Sequence, residues 1–408
     1  MENAVEIANR FELKELELNS LLEITQAINE NVPEASLYKI YNFTLRANLS
    51  LNKLLLIVRE EGHWVCKVQF GVANEYNEVI PDQSIAQKNT ILHKTDLADT
   101  PFDEFETAIP VFHKENLLAV VYLGGIAEQD HPKHIENHLN FIQALTNITM
   151  VAIENKKMAR ERLEKEVYEK EMEIAQKVQQ LLFPKFLPEQ DNFNIAAHYS
   201  PHSTVGGDYY DWHEISDTEK MVCIADVSGK GVPAALLMSN FQASLRTLLR
   251  KTTDLSEIVN DLNYQVFQSA SGENFITFFI AIIDLEKKRL KYVNAGHNPP
   301  YLIQNKITHD LNDGTLVLGA FPELPFLKIG EVALESEQTL FLYTDGLTEA
   351  FNVNEEEFGP ERLRLFLTHQ AESNPKDLVE RVLDSVDDFV GDRPFSDDIT
   401  LLACTFNA

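Results

Sequence analysis

Residues 225–238 read Ala-Asp-Val-Ser-Gly-Lys-Gly-Val-Pro-Ala-Ala-Leu-Leu-Met. An apolar, strand-like run, Met221–Ala225, meets Asp226. A glycine-broken turn follows, then helical spacing from Pro233 to Arg250. Three further stretches repeat this junction. Leu340-Phe-Leu-Tyr-Thr runs into Asp345-Gly, Asp397-Asp398 directly precedes Ile399-Thr-Leu-Leu-Ala, and Gly206-Gly207-Asp208 makes a turn before Tyr209-Tyr210-Asp211. Strand ends hold side chains rigidly at a sheet rim. Four carboxylates meeting at one rim repel strongly in a low-dielectric site. Divalent metal is the physical remedy, and oxygen-only ligands suit Mg²⁺ or Mn²⁺. No His/Cys cluster in these motifs competes on behalf of zinc. Singly, each motif is ordinary: Asp-Gly is a common turn signal, and Gly-Gly-Asp can close a hairpin.

Outward from these motifs, the chain has 408 residues, with 64 Asp+Glu against 35 Lys+Arg and a formal charge of −29. That length predicts two or three domains, and 44% hydrophobic residues suffice for ordinary cores. The acidity argues against non-specific nucleic-acid binding and against an anionic membrane as main partner. Cys66, Cys223 and Cys404 are isolated, so neither a disulfide framework nor a CxxC zinc site is indicated, which suits a reducing cytosol. The acidic N-terminus lacks signal-peptide features. No stretch approaches the ~18 consecutive apolar residues of a membrane span. The predicted location is cytoplasmic.

Three regions separate by pattern. Residues 1–150 mix helical spacing (Phe11–Ile28, His138–Ile153) with strand-like runs (Leu51–Val58, Trp64–Phe70, Ala108–Phe112, Leu117–Leu123). Residues 151–188 form a linker. Its charged, Gly- and Pro-free stretch to about 185 predicts one long helix, ended by Pro184 and Pro188. Ile153, Arg160, Val167, Ile174 and Leu181 fall seven apart, as in a coiled coil, but Lys156, Leu163, Lys170 and Lys177 spoil the second seam. A marginal coiled coil and a solvated spacer both remain open. Residues 189–408 are strand-rich, with β-like runs at Met221–Ala225, Phe275–Ile283, Leu290–Val293, Thr339–Thr344 and Ile399–Thr405. Helices are predicted at Pro233–Arg250, Leu255–Ser269, Leu363–Phe366 and Leu378–Phe389.

Taken together and in order, Val205-Gly-Gly-Asp-Tyr-Tyr-Asp, residues 225–238, Asn294-Ala-Gly-His-Asn-Pro-Pro, Leu342-Tyr-Thr-Asp-Gly-Leu-Thr-Glu-Ala and Asp397-Asp-Ile-Thr-Leu-Leu resemble the SpoIIE/RsbU-type serine/threonine phosphatases of the metal-dependent PPM (protein phosphatase 2C-like) superfamily. Glu173–Pro188 resembles the helix that precedes this domain in RsbU-like proteins. Residues from about 15 to 155 resemble a GAF sensor domain. The resemblance implies an α+β protein: a C-terminal PPM-type β-sandwich flanked by helices and an N-terminal GAF-like α/β sensor, joined by a long helical linker. It implies that Asp226 bridges two Mn²⁺ or Mg²⁺ ions with help from the Val227 carbonyl. Asp208 would ligate one metal, and Asp345 and Asp397 the other. Asp398 falls where the superfamily usually has Asn and takes a supporting role, while Gly206, Gly207, Gly229, Gly231 and Gly346 allow close backbone approach. The substrate implied is a phosphoserine or phosphothreonine protein, a STAS-domain anti-sigma-factor antagonist. A homodimer through the sensor domain and linker is also implied.

One departure concerns phosphate. The eukaryotic-type arginine before the first metal aspartate is missing from Pro201-His-Ser-Thr-Val, leaving Arg393 and His202 as candidates, each more simply read as a solvated surface residue. Regulation is expected through an apolar stripe, Ile174, Val178, Leu181 and Leu182, packed on the catalytic domain. His297 is read as a histidine that hydrogen-bonds a strand corner. His131, His134 and His138 are read as solvated surface residues, and Cys66 as a core or edge residue. Two rival functions are a non-catalytic pseudophosphatase module, which the full carboxylate set argues against, and a GGDEF-type cyclase, which Tyr209-Tyr210 after Asp208 argues against.

Overall fold

The computed structural model describes residues 2–49, 51–60, 62–72, 74, 76, 80, 81, 91–113, 116–124, 133–190, 192–270, 272–335, 337–370 and 374–407. The chain divides into two compact units, Met1–Glu166 and Val167–Ala408.

In the first unit, α1 (Glu2–Asn29) and α2 (Glu34–Leu49) precede an antiparallel sheet of β1 (Lys53–Glu60), β2 (His63–Phe70), β3 (Leu92–His93), β4 (Thr107–His113) and β5 (Asn116–Gly124). The strand order is β2-β1-β5-β4-β3, and the one-turn helix α3 (Lys94–Leu97) follows β3. Period-two alternation sorts β1 onto two cores. Leu54, Leu56 and Val58 pack with Ile24, Tyr41 and Leu145. Leu55 and Ile57 pack with Phe102, Phe105 and Tyr122. The strands expected here are present, and Cys66 lies half-buried on the edge strand β2.

The two helices expected after residue 133 are one: α4 (Lys133–Gln180) is 48 residues long. His138, expected on the surface, is buried on it. Its Nδ1 lies 2.5 Å from Oε1 of Glu17, a residue 121 positions away. Histidine spacing along one helix carries no information about a partner on another. His131 lies outside the described residues.

The second unit is a sandwich of two six-stranded sheets. In chain order it contains β6 (Glu189–Gln190), β7 (Phe193–Ser200), β8 (Tyr209–Glu214), β9 (Glu219–Val227), α5 (Val232–Leu249), α6 (Leu255–Ala270), β10 (Ile276–Asp284) and β11 (Arg289–Ala295). There follow β12 (Tyr301–Gln304), β13 (Ile307–Asp310), β14 (Gly314–Thr315), β15 (Gly330–Ala333), β16 (Glu337–Tyr343), α7 (Asp345–Thr348), α8 (Pro360–His369), α9 (Pro375–Val390) and β17 (Ile399–Asn407). One sheet runs β14-β11-β10-β9-β8, with β15 also on β11, and the other runs β13-β12-β16-β17-β7-β6. Val222, Ile224 and Phe279 of the first sheet meet Leu340, Leu342, Leu402 and Cys404 of the second between the layers. The opposite faces are covered as well. Met221, Cys223 and Phe278 pack beneath α5 and α6, and Phe341, Tyr343 and Leu401 beneath α8 and α9. Burial on both faces explains why the central strands read as unbroken apolar runs rather than alternating ones.

Leu402 is fully buried between the sheets. Leu402→Ala should therefore cost about 2–5 kcal/mol, measured as the loss of unfolding free energy in urea.

Candidate active site

Antiparallel pairing brings the end of one strand beside the start of its neighbour. Tyr209 of β8 pairs with Ala225 of β9, so Asp208, just before β8, and Asp226, near the end of β9, share one rim of the first sheet. Tyr343 of β16 pairs with Leu401 of β17, so Asp345 and the Asp397-Asp398 pair share a rim of the second. Hydrogen bonds join the two rims. Oδ2 of the buried Asp208 accepts from the hydroxyls of Thr344 at 2.8 Å and Thr400 at 2.5 Å, both on the second sheet's side. Thr400 N in turn donates to Thr344 Oγ1 at 2.9 Å.

Asp398 holds the glycine turn. Its Oδ2 accepts from Gly207 N at 2.7 Å and its Oδ1 from His202 N at 2.8 Å. A Cβ added to Gly206 would fall 2.2 Å from Asp398 Oδ2, and one on Gly346 would fall 2.1 Å from the Asp398 carbonyl oxygen. These glycines are the condition for carboxylates to pack this closely against backbone. His297 bridges the sheets behind the rim. Its ring lies 3.0 Å from the Tyr343 carbonyl through Nε2 and 2.8 Å from the Thr277 hydroxyl through Nδ1. A carbonyl only accepts, so Nε2 carries the proton and Nδ1 accepts from Thr277. Burial lowers this histidine to about 4, so it stays neutral near pH 7. It is the strand-corner histidine expected from sequence.

Electrostatics at the rim are unfavourable without a cation. Burial, then the neighbouring Asp226, push the Asp208 carboxyl well above the usual range. Burial, then Asp345, push Asp226 up to about 7. Burial, then Asp397, raise Asp345. Among the described residues, no three carboxylate, histidine or cysteine groups already form a closed cation cage. One carboxylate is paired with a lysine: Lys230 Nζ sits 2.8 Å from Asp397 Oδ2. The donor set still fits Mg²⁺ or Mn²⁺, because it is all oxygen and neighbouring carboxylates raise Asp208, Asp226 and Asp345.

The end of α4 reaches this rim by a route the sequence reading missed. Gln179 is buried. Its Nε2 donates to the Gly206 carbonyl at 2.7 Å, and its Oε1 accepts from Gly206 N at 3.2 Å. The helix then tightens: Leu181 N bonds the Val178 carbonyl and Leu182 N the Gln179 carbonyl. Pro184 disfavours helical geometry at Phe183, whose ring is buried against Tyr199, Tyr209 and Tyr210. The expected packing of the apolar stripe is corrected here. Ile174, Val178 and Leu181 are 62%, 58% and 64% exposed, and of the four only Leu182 packs on this core. One face of the helix carries Gln179 and Leu182 inward, which leaves the other three pointing away.

Residues 216–407 match the family described as Stage II sporulation protein E (SpoIIE). The chain is 30% identical over 296 residues to the phosphoserine phosphatase RsbU of Bacillus subtilis, covering 72% of this chain and 79% of RsbU. It is 27% identical over 186 residues to the phosphoserine phosphatase RsbP of the same organism, covering 44% of this chain and 45% of RsbP. The SiaA-PP2C domain of Pseudomonas aeruginosa superposes with a TM-score of 0.54 at 21% identity, over 60% of this chain and 98% of that domain, a likeness of fold.

The raised carboxyls make stability depend on pH. An unfolded aspartate ionises near pH 4, whereas folded Asp226 does so at about 7. Between those values the native chain holds a proton that the unfolded chain has lost, so stability falls as pH rises through the window. Metal-free protein should melt at a higher temperature at pH 5.5 than at pH 7.5. Asp226→Asn should flatten that dependence and raise the melting temperature at pH 7.5. Scanning calorimetry in EDTA reads both.

Proposed function

The chain belongs to the SpoIIE/RsbU-type family of PPM protein phosphatases, and on that premise we propose how this serine/threonine phosphatase works and what it acts on. The observation that carries the proposal is the convergence of Asp208, Asp226, Asp345 and Asp397 from four strand ends onto facing rims. Two divalent cations, Mn²⁺ or Mg²⁺, would be held by Asp226 with the Val227 carbonyl, with Asp208 serving one cation and Asp345 and Asp397 the other. When bound, such ions supply an acidified water and neutralise phosphoryl charge.

The chain's own residues supply the geometry. Thr344 and Thr400 anchor Asp208 through one oxygen, Oδ2. Asp398 clamps the glycine turn that carries Asp208. His297, neutral and fully engaged, fixes the turn entering Asp345 and is not a proton carrier. Among the described residues, no side chain at this rim is assigned as a covalent nucleophile, which accords with direct attack of water on phosphorus.

The substrate in this proposal is a phosphorylated STAS-domain anti-sigma-factor antagonist. Supporting it are the names of RsbU and RsbP as phosphoserine phosphatases. The first unit acts as a GAF-like sensor. The exposed heptad residues Val167, Ile174 and Leu181 are covered by a second copy of α4 in a homodimer. Gln179 and Phe183, rather than the apolar stripe, transmit a change in that pairing to Gly206. No helix among the described residues is long and apolar enough to cross a membrane, and a cytoplasmic location belongs to the same proposal.

Mn²⁺-dependent phosphate release from a phosphoserine STAS-domain protein tests this directly. Asp226→Ala should lower it by at least about 10²-fold, and an unaffected rate would sink the assignment. Gln179→Ala removes two hydrogen bonds from a buried turn. It should raise the Mn²⁺ concentration needed for half-maximal activity about tenfold, read from a metal titration of the rate.

A further inference from the structure

The proposed site has no side chain assigned to the phosphoryl oxygens. Asp208, Asp226, Asp345 and Asp397 offset two divalent cations, and an arriving phosphate adds about −1.5 to −2. A further cation at the mouth would balance that charge. Arg393 and His202 do not provide it. Arg393 Nη1 donates to the Asn352 carbonyl at 3.0 Å, with its guanidinium 5.6 Å from the Phe351 ring centre. The His202 ring holds the Phe395 carbonyl at 2.8 Å.

Lys230 is placed differently. Besides its contact with Asp397, its Nζ donates to the Ser396 carbonyl at 2.7 Å, and its side chain is 54% exposed. The ammonium is thus held at the rim while one side stays open to solvent. The backbone path is what puts it there. Gly229 and Gly231, either side of it, have φ of +93° and +71°. A Cβ on Gly231 would meet nothing within 4 Å, and one on Gly229 only Asn274 Oδ1 at 3.7 Å. Crowding therefore does not require glycine at either position. Left-handed backbone does, and it folds Lys230 back over the carboxylates before α5 begins.

Resting on the phosphatase reading, we propose that Lys230 is the residue that grips the substrate's phosphoryl group. In the metal-free chain its ammonium pairs with Asp397. When cations occupy the carboxylates, that pairing loses its purpose and the ammonium turns to a phosphoryl oxygen of the phosphoserine, taking the place of the missing arginine. The contact is a charge-assisted hydrogen bond with no covalent step.

The test uses the full chain, with Lys230→Met and Lys230→Arg beside wild type, and inorganic phosphate as the probe. Manganese affinity is measured by electron paramagnetic resonance. Phosphate affinity of the manganese-loaded protein is measured from its competitive inhibition of phosphoprotein hydrolysis and from phosphorus NMR line broadening. Lys230→Met should weaken phosphate binding about tenfold or more and raise KM, with manganese affinity held within about threefold. Lys230→Arg should restore most of the loss. Tighter manganese binding with unchanged phosphate affinity would show a stand-in cation only, and would overturn the proposal. So would a variant equal to wild type in both. If wild type itself releases no phosphate with manganese, the phosphatase reading fails first, a result distinct from an active wild type with an indifferent variant.

Discussion

Repulsion among carboxylates at the facing rims of two sheets is the constraint around which the second unit is arranged. After burial itself, Asp226 raises Asp208, Asp345 raises Asp226 and Asp397 raises Asp345, because burial removes the water that would screen them. A fold that needed only stability would not gather these groups. The surrounding parts make sense as ways of tolerating them. Threonine hydroxyls satisfy one oxygen of Asp208, backbone amides satisfy Asp398, and glycine removes the side chains that would stand in the way. A neutral histidine ties the sheets together without adding charge.

The connection to the long helix is polar where it touches the site and aromatic where it anchors. Gln179 pairs with both backbone groups of Gly206, so the turn bearing Asp208 is hydrogen-bonded to a helix as well as to a sheet. Phe183 supplies the apolar hold, stacked on Tyr199 with a ring separation of 4.6 Å. The exposed residues Ile174, Val178 and Leu181 on the other face are thereby free to serve a different contact.

Much of this was legible from sequence. Strands buried on both faces announce themselves as apolar runs, and β9, β10, β16 and β17 were all found that way. Strands β7, β8 and β12 were not. β7 mixes Asn194, His198 and Ser200 with its apolar residues, and β12 is only four residues long. The aspartates stood out because each ended or began a strand. Thr344 and Thr400 did not, because threonine is ordinary in strands and their role exists only once two sheets face each other. Gln179 lay in a charged helix where nothing marked it apart from Gln180. The stripe at Ile174, Val178 and Leu181 was found correctly as apolar but assigned to the wrong neighbour, since periodicity gives a face and not what covers it. His138 was misplaced for the same reason: Glu17 is its partner only in three dimensions.

The two threonine hydroxyls on Asp208 have a consequence beyond placing an acid. They belong to one sheet and the carboxylate to the other, so the proposed site straddles the seam of the sandwich. Any slippage along that seam would disorganise the centre while each sheet was still intact. On the proposed assignment the seam is a strain gauge, with catalytic competence expected to lapse before the architecture does.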